Sequence, residues 1–302
     1  MNLANAGCVI YSCLRFVPKM IPLEKRLLRL AEGVASSYGK LAKDVSSKSV
    51  HRLRTTIRRT KSLVAFAHPD LGRKQQKAMA VLAELRKRAG KVRDLDVQID
   101  LIGDIGNGST AGDRKVLTDF LKARRAKQAD RLSSLIAKTK DTRLFSQLDR
   151  IAEKVGLAAL EATGMPLDQA IEQLSKVAAE YGAHRSHRPS ALHQVRIKLK
   201  MIRYLAELGE ESEEQQRFLE ELKQVQDALG AWHDWEELFE TAERHFGERL
   251  NCPLLLEVRA LLAARYAAAG GAVVALFSRQ SAPPAQKPPQ SMVLVETLAK
   301  RA

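Results

Sequence analysis

Two stretches of the chain repeat one order of histidine and basic residues at a spacing that only a helix brings into line: His51-x-x-Arg54-x-x-x-Arg58-x-x-Lys61 and His193-x-x-Arg196-x-x-x-Lys200-x-x-Arg203. At about 100° per residue, these positions fall within a strip roughly 80° wide on the helix surface. Opposite the strip in the first stretch lie Leu53, Ile57, Thr60 and Val64, which give that helix a core face and a cationic face. Like charges stacked three or four residues apart cost a lone helix about 0.2–0.5 kcal/mol per pair. A doubled row of them points to a negatively charged occupant.

The repetition extends beyond the basic rows. His51 maps onto His193 at an offset of 142, Gly90-Lys-Val-Arg93-Asp94 onto Gly230-Ala-Trp-His233-Asp234 at 140, and Arg124 onto Arg265 at 141. Near-equal offsets on one order of elements indicate a duplicated four-helix unit. Few aromatics and many Ala, Leu, Lys, Arg and Glu make the fold class all-α. Breakers predict helices over 22–45, 48–67, 70–105 and 111–140 in the first half, and over 166–183, 189–208, 213–247 and 253–279 in the second. A short helix near 142–161 is expected to link the halves. Residues 1–20 read as an extension outside the fold, 21–161 as the first four-helix half with its linker helix, 162–280 as the second half and 281–302 as a Pro-rich tail.

The net charge of +15 is unevenly spread: His51 to Arg93 holds thirteen Lys and Arg against two acids, Asp70 and Glu84. Such a block raises the local potential and speeds capture of nucleic acid, anionic lipid or polyphosphate. Cys8, Cys13 and Cys252 have no metal-ligand spacing and leave one thiol over in any disulfide scheme, which favours a reducing, cytoplasmic compartment. The first nineteen residues lack a basic n-region and a cleavage site, and no run of eighteen consecutive apolar residues suggests a membrane span.

These residues resemble the CHAD domain (conserved histidine α-helical domain) over about Leu23 to Arg279. The carriers are Val50-His51-Arg-Leu-Arg54-Thr-Thr-Ile-Arg58-Arg59-Thr-Lys61 and Arg88-Ala-Gly90-Lys-Val-Arg93-Asp94-Leu-Asp96-Val, then Leu192-His193-Gln-Val-Arg196-Ile-Lys198-Leu-Lys200-Met-Ile-Arg203-Tyr204 and Leu229-Gly230-Ala-Trp-His233-Asp234. The resemblance implies two four-helix bundles related by pseudo-two-fold symmetry, basic helices facing a central surface or pore, and binding of inorganic polyphosphate. The chain departs from the pattern at Lys61, where Arg is more usual, and at Trp235, where a small or apolar residue would be.

Polyphosphate suits the residues. Its charges are more closely spaced than those along a nucleic acid strand; Arg grips two phosphate oxygens in a fork while Lys acts as a point charge. Single-strand nucleic acid sites usually add stacking aromatics, and the first basic half has only Phe66 nearby, so RNA or DNA is the alternative ligand rather than the first. The expected binding residues are His51, Arg54, Arg58, Arg59, Lys61, Arg88, Lys91, Arg93, Arg124, Arg131, His193, Arg196, Lys198, Lys200, Arg203 and His233. Each of the two repeat histidines, His51 and His193, is read as opening its helix at the positive dipole end. Asp94 and Asp234 are expected to orient an arginine or histidine rather than touch the anion. No cofactor or metal is expected, because the carboxylates are dispersed and no Gly-rich phosphate loop or nucleophile and base pair occurs. The chain therefore reads as a polyphosphate-binding protein without catalysis, associated with polyphosphate granules where a host has them.

Overall fold

The computed structural model describes residues 23–280, apart from 107, 109, 140, 162–165, 185–187, 210 and 248–251. The extension read over 1–20 and the tail over 281–302 lie outside the described residues. Among those described, the fold is all-α, with nine helices: α1 Leu23–Lys43, α2 Ser47–Ala67, α3 Arg73–Asp104, α4 Ala111–Lys138, α5 Asp141–Glu161, α6 Pro166–His184, α7 Pro189–Ala206, α8 Glu213–Phe246 and α9 Pro253–Gln280.

The punctuation follows local chemistry. Ser46 caps α2 by accepting from the Ser49 amide, and Ser212 caps α8 by accepting from the Gln215 amide. Pro166, Pro189 and Pro253 each stand first in a helix, where a missing N–H costs nothing. α2 ends at His68, held left-handed at φ 44° before Pro69.

The core is divided among three clusters. The first gathers α1, α2, the first part of α3, the last part of α4 and α5, through residues such as Leu27, Leu53, Ile57, Leu82, Leu132 and Leu148. The second gathers α6, α7, the first part of α8 and the last part of α9, around Leu174, Leu199, Leu222, Trp232 and Val273. The third joins the remaining ends of α3, α4, α8 and α9 through Leu95, Ile102, Leu117, Trp235, Leu238 and Val258. Each of these four long helices thus serves two cores, and the third core ties the first half to the second.

One expectation needs correction. The helix expected over 142–161 is α5, within a residue of those bounds, but it does more than link: it buries Leu144, Leu148, Ile151, Ala152 and Val155 in the first core, packed along α1. α9 is, by length and composition, apolar enough to cross a membrane over Pro253–Arg279, although charged residues interrupt any continuous run. Its inner face nevertheless packs along α8, with Leu254, Val258, Val273 and Leu276 fully buried, while Leu256 and Val274 stay exposed.

Candidate anion-binding cleft

α2 packs against α7, and α3 against α8. Leu53, Ile57, Thr60 and Val64 are buried, so the opposite face of α2 turns toward a cleft of about 470 Å³ that α7, α3 and α8 complete. Its walls carry His51, Arg54, Arg58 and Arg59 from α2, Arg93 and Asp94 from α3, Arg196, Lys200 and Arg203 from α7, and His233 and Asp234 from α8. Arg54 and Arg196, Arg58 and Lys200, Arg93 and His233, and Asp94 and Asp234, which align at offsets of 142 or 140 in the sequence, therefore line one cleft. Gly230 also lines the wall, and a β-carbon there would meet nothing within 4 Å.

Carboxylates share the cleft with these cations, and their placement sorts the cations into two groups. Asp94 accepts from Arg54 at 3.1 Å, and Glu207 accepts from Arg59 and from Arg203, each at 3.1 Å. Arg93 is held by the Ser47 hydroxyl at 3.1 Å, and Arg203 also donates to the Gln226 side-chain oxygen at 3.2 Å. Among the described residues, no carboxylate lies within ion-pair distance of Arg58, Arg196 or Lys200. The Nε–H groups of Arg54 and Arg196, 142 residues apart and matched in the repeat, are buried without a hydrogen-bond partner.

This crowding perturbs the titrating groups. Burial, then the charges of Arg196, Arg58 and Arg54, pushes the Lys200 ammonium down to about 7. Burial, then Arg196 and His193, pushes His233 down to about 4. A ring that is neutral at physiological pH forms no ion pair, so the approaches of His233 to Glu236 and Glu237 at 3.7 and 3.9 Å are not salt bridges. His51 is also lowered, by burial and by Arg93, Arg54 and Arg58. Burial raises Asp234, against the pull of Arg196 and Lys200.

Several expected residues stand elsewhere. Lys91 and Arg88 sit on α3 outside the lining of the cleft; Lys91 is exposed and Arg88 pairs with Glu84 at 2.7 Å. Lys198, two residues before Lys200, faces away and pairs with Glu180. Lys61 lies two residues past Arg59, the last residue of α2 that lines the cleft. Arg124 sits on α4 over the Phe120 ring at 5.4 Å, and Arg131 is exposed on the same helix. His193 does not line the cleft but stands 5.5 Å from His233, ring to ring. His51 and His193 are each the fifth residue of their helix, past the free N–H groups of the first turn. Sequence reasoning missed Glu207 and Gln226. The i, i+4 spacing of Glu207 from Arg203 was a usable signal, whereas Gln226 reaches Arg203 only through tertiary packing.

The CHAD domain family matches residues 27–243, most of the chain. The chain belongs to that family. Among solved structures, the CHAD domain from the plant Ricinus communis aligns with a TM-score of 0.65 at 18% identity, covering 85% of this chain and 90% of that one. PptA from Streptomyces chartreusis aligns with a TM-score of 0.56 at 17% identity, covering 86% of this chain and 99% of that one. At such identities the two structures speak for the CHAD fold alone. No curated protein matches the sequence. In this CHAD chain the motif residues of α2, α3, α7 and α8 supply the cleft's cations and its histidines.

Proposed function

We propose that this protein binds inorganic polyphosphate in the cleft between α2, α3, α7 and α8, with Arg54, Arg58, Arg196 and Lys200 as the central ligands and without catalysing a reaction on it. The observation that carries the reading is the set of central cations that form no ion pair among the described residues, Arg58, Arg196 and Lys200, beside the two unpartnered Nε–H groups of Arg54 and Arg196. Buried cations are usually paired, and buried N–H donors usually find an acceptor. A phosphate chain supplies both, since its oxygens accept charge-assisted hydrogen bonds and its charge offsets the crowding that depresses Lys200. Asp94 holds Arg54 in place by an ion pair, whereas Asp234, its counterpart at an offset of 140, acts on Arg196 only as a nearby opposite charge.

The second reading, a general polyanion or nucleic-acid site, has less to support it. Among the described residues, Tyr204 is the one phenylalanine, tyrosine or tryptophan that lines the cleft, where a single-stranded nucleic acid would use stacking platforms. Among the described residues no group of three or more His, Cys, Asp or Glu is placed to hold a metal ion, and phosphoryl transfer commonly relies on one. Pseudo-two-fold duplication of the two basic helices, a cytoplasmic location and association with polyphosphate granules belong to the same proposal. Calorimetric titration with long-chain polyphosphate tests the binding claim, with saturable binding expected. Orthophosphate release in the presence of Mg²⁺ or Mn²⁺ would overturn the absence of catalysis.

A further inference from the structure

The two repeated helices carry matched basic rows, yet they differ where the rows end. Glu207, which caps α7, places one carboxylate oxygen 3.1 Å from Arg59 Nε and the other 3.1 Å from Arg203 Nε, so it joins a guanidinium of α2 to one of α7. Its backbone is held independently of that charge. Arg26 of α1 donates to the carbonyls of Glu207 and Gly209 at 2.8 and 3.0 Å, and Leu208 is buried in the first core. At the offset of 142, Glu207 corresponds to Ala65, Arg203 to Lys61 and Arg59 to Met201. Ala65 and Met201 line a separate groove together with Phe66, Ile197 and Leu205. The cleft thus ends at a carboxylate clasped by two arginines, whereas the position that corresponds to Glu207 on α2 is an exposed alanine outside the cleft.

A carboxylate that offers one oxygen to each of two guanidiniums does what two free oxygens of a phosphate would do at the same place. We infer that Glu207 is a built-in competitor that occupies the terminal phosphate position of the track between Arg59 and Arg203, and so limits how much of a long chain the cleft engages. This rests on the polyphosphate reading. A short chain fills the central set of Arg54, Arg58, Arg196 and Lys200 without meeting Glu207. A long one either displaces that carboxylate or leaves the cleft toward Ala65.

Two substitutions test the assignment against tripolyphosphate and long-chain polyphosphate. Glu207→Gln keeps the shape and frees both arginines, so it should tighten long-chain binding about fivefold, the upper range for a partly exposed ion pair, and change tripolyphosphate binding less than about twofold. Ala65→Glu sits on an exposed position and adds a carboxylate four residues after Lys61, so it should weaken long-chain binding. Equal gains for both ligands with Glu207→Gln, or no gain in a protein that melts as the wild type does, would overturn the role of Glu207. A wild-type protein that binds neither ligand would overturn the polyphosphate reading itself.

Discussion

At the residue scale the cleft is an arrangement of cations that differ in their freedom. Arg54, Arg59 and Arg203 already hold carboxylates, whereas Arg58, Arg196 and Lys200 hold none among the described residues. Lys200 is the most responsive of them, because burial and three arginines bring its ammonium to about 7 from a reference of 10.5. A bound phosphate chain favours the charged amine, so polyphosphate affinity should fall as pH rises through about 7, and Lys200→Arg should flatten that profile in titrations from acid to alkaline pH. Stability moves the other way. Between about 7 and 10.5 the unfolded chain binds the proton that the folded lysine has lost, so the contribution of Lys200 to stability rises with pH across that window. The basic rows were legible in the sequence because their residues share one helix face. The i, i+4 pair of Arg203 and Glu207 was legible too, but the bond from Arg59 to Glu207 and the orienting bond from Arg203 to Gln226 were not, because each crosses from one helix to another. Arg88 and Lys198 do not line the cleft for a related reason: proximity in sequence to a motif residue is not a shared helical angle.

At the element scale the helix limits were readable because prolines, capping serines and the 3.6-residue period all act locally. The importance of α5 was not. Its sequence position suggested a connection, but its apolar side chains complete the first core. Leu148 is fully buried there, and Leu148→Ala should cost about 2–5 kcal/mol in denaturant unfolding, where a mere linker would lose almost nothing. Tyr38 of α1 likewise ties α4 down, donating to the Ile136 carbonyl at 2.6 Å and stacking edge-on against Phe145 of α5. Tyr38→Phe should cost roughly 1 kcal/mol by the same measurement, since the ring contact remains and only the hydrogen bond is lost. The long helices α3 and α8 spread their apolar residues around the helix because their two ends face different cores, and that blurs the period over their full length.

At the scale of the whole molecule, the third core is what makes the cleft a fixed site. It joins the far ends of α3, α4, α8 and α9, and Trp235, one residue after Asp234, is buried in it. That tryptophan packs the joint beside the cleft. Calorimetry should therefore show one unfolding transition for both halves, and Trp235→Ala should lower it by about 3–5 kcal/mol of stability while also weakening polyphosphate binding. No sequence pattern announces this joint, because it is assembled from helix ends far apart in the chain.

The central claim is that matched arginines from the two repeats build one dedicated polyphosphate site. A competition titration at near-physiological salt tests it most directly: labelled long-chain polyphosphate challenged with heparin, single-stranded RNA and duplex DNA, on the wild type and on Arg54→Ala/Arg196→Ala. The account expects polyphosphate to be retained against the other polyanions, and the double variant to bind it at least about tenfold more weakly, as the loss of charge-assisted hydrogen bonds implies. Equal displacement by every polyanion, with no effect of the two substitutions, would contradict it and leave the repeated rows as a diffuse basic surface.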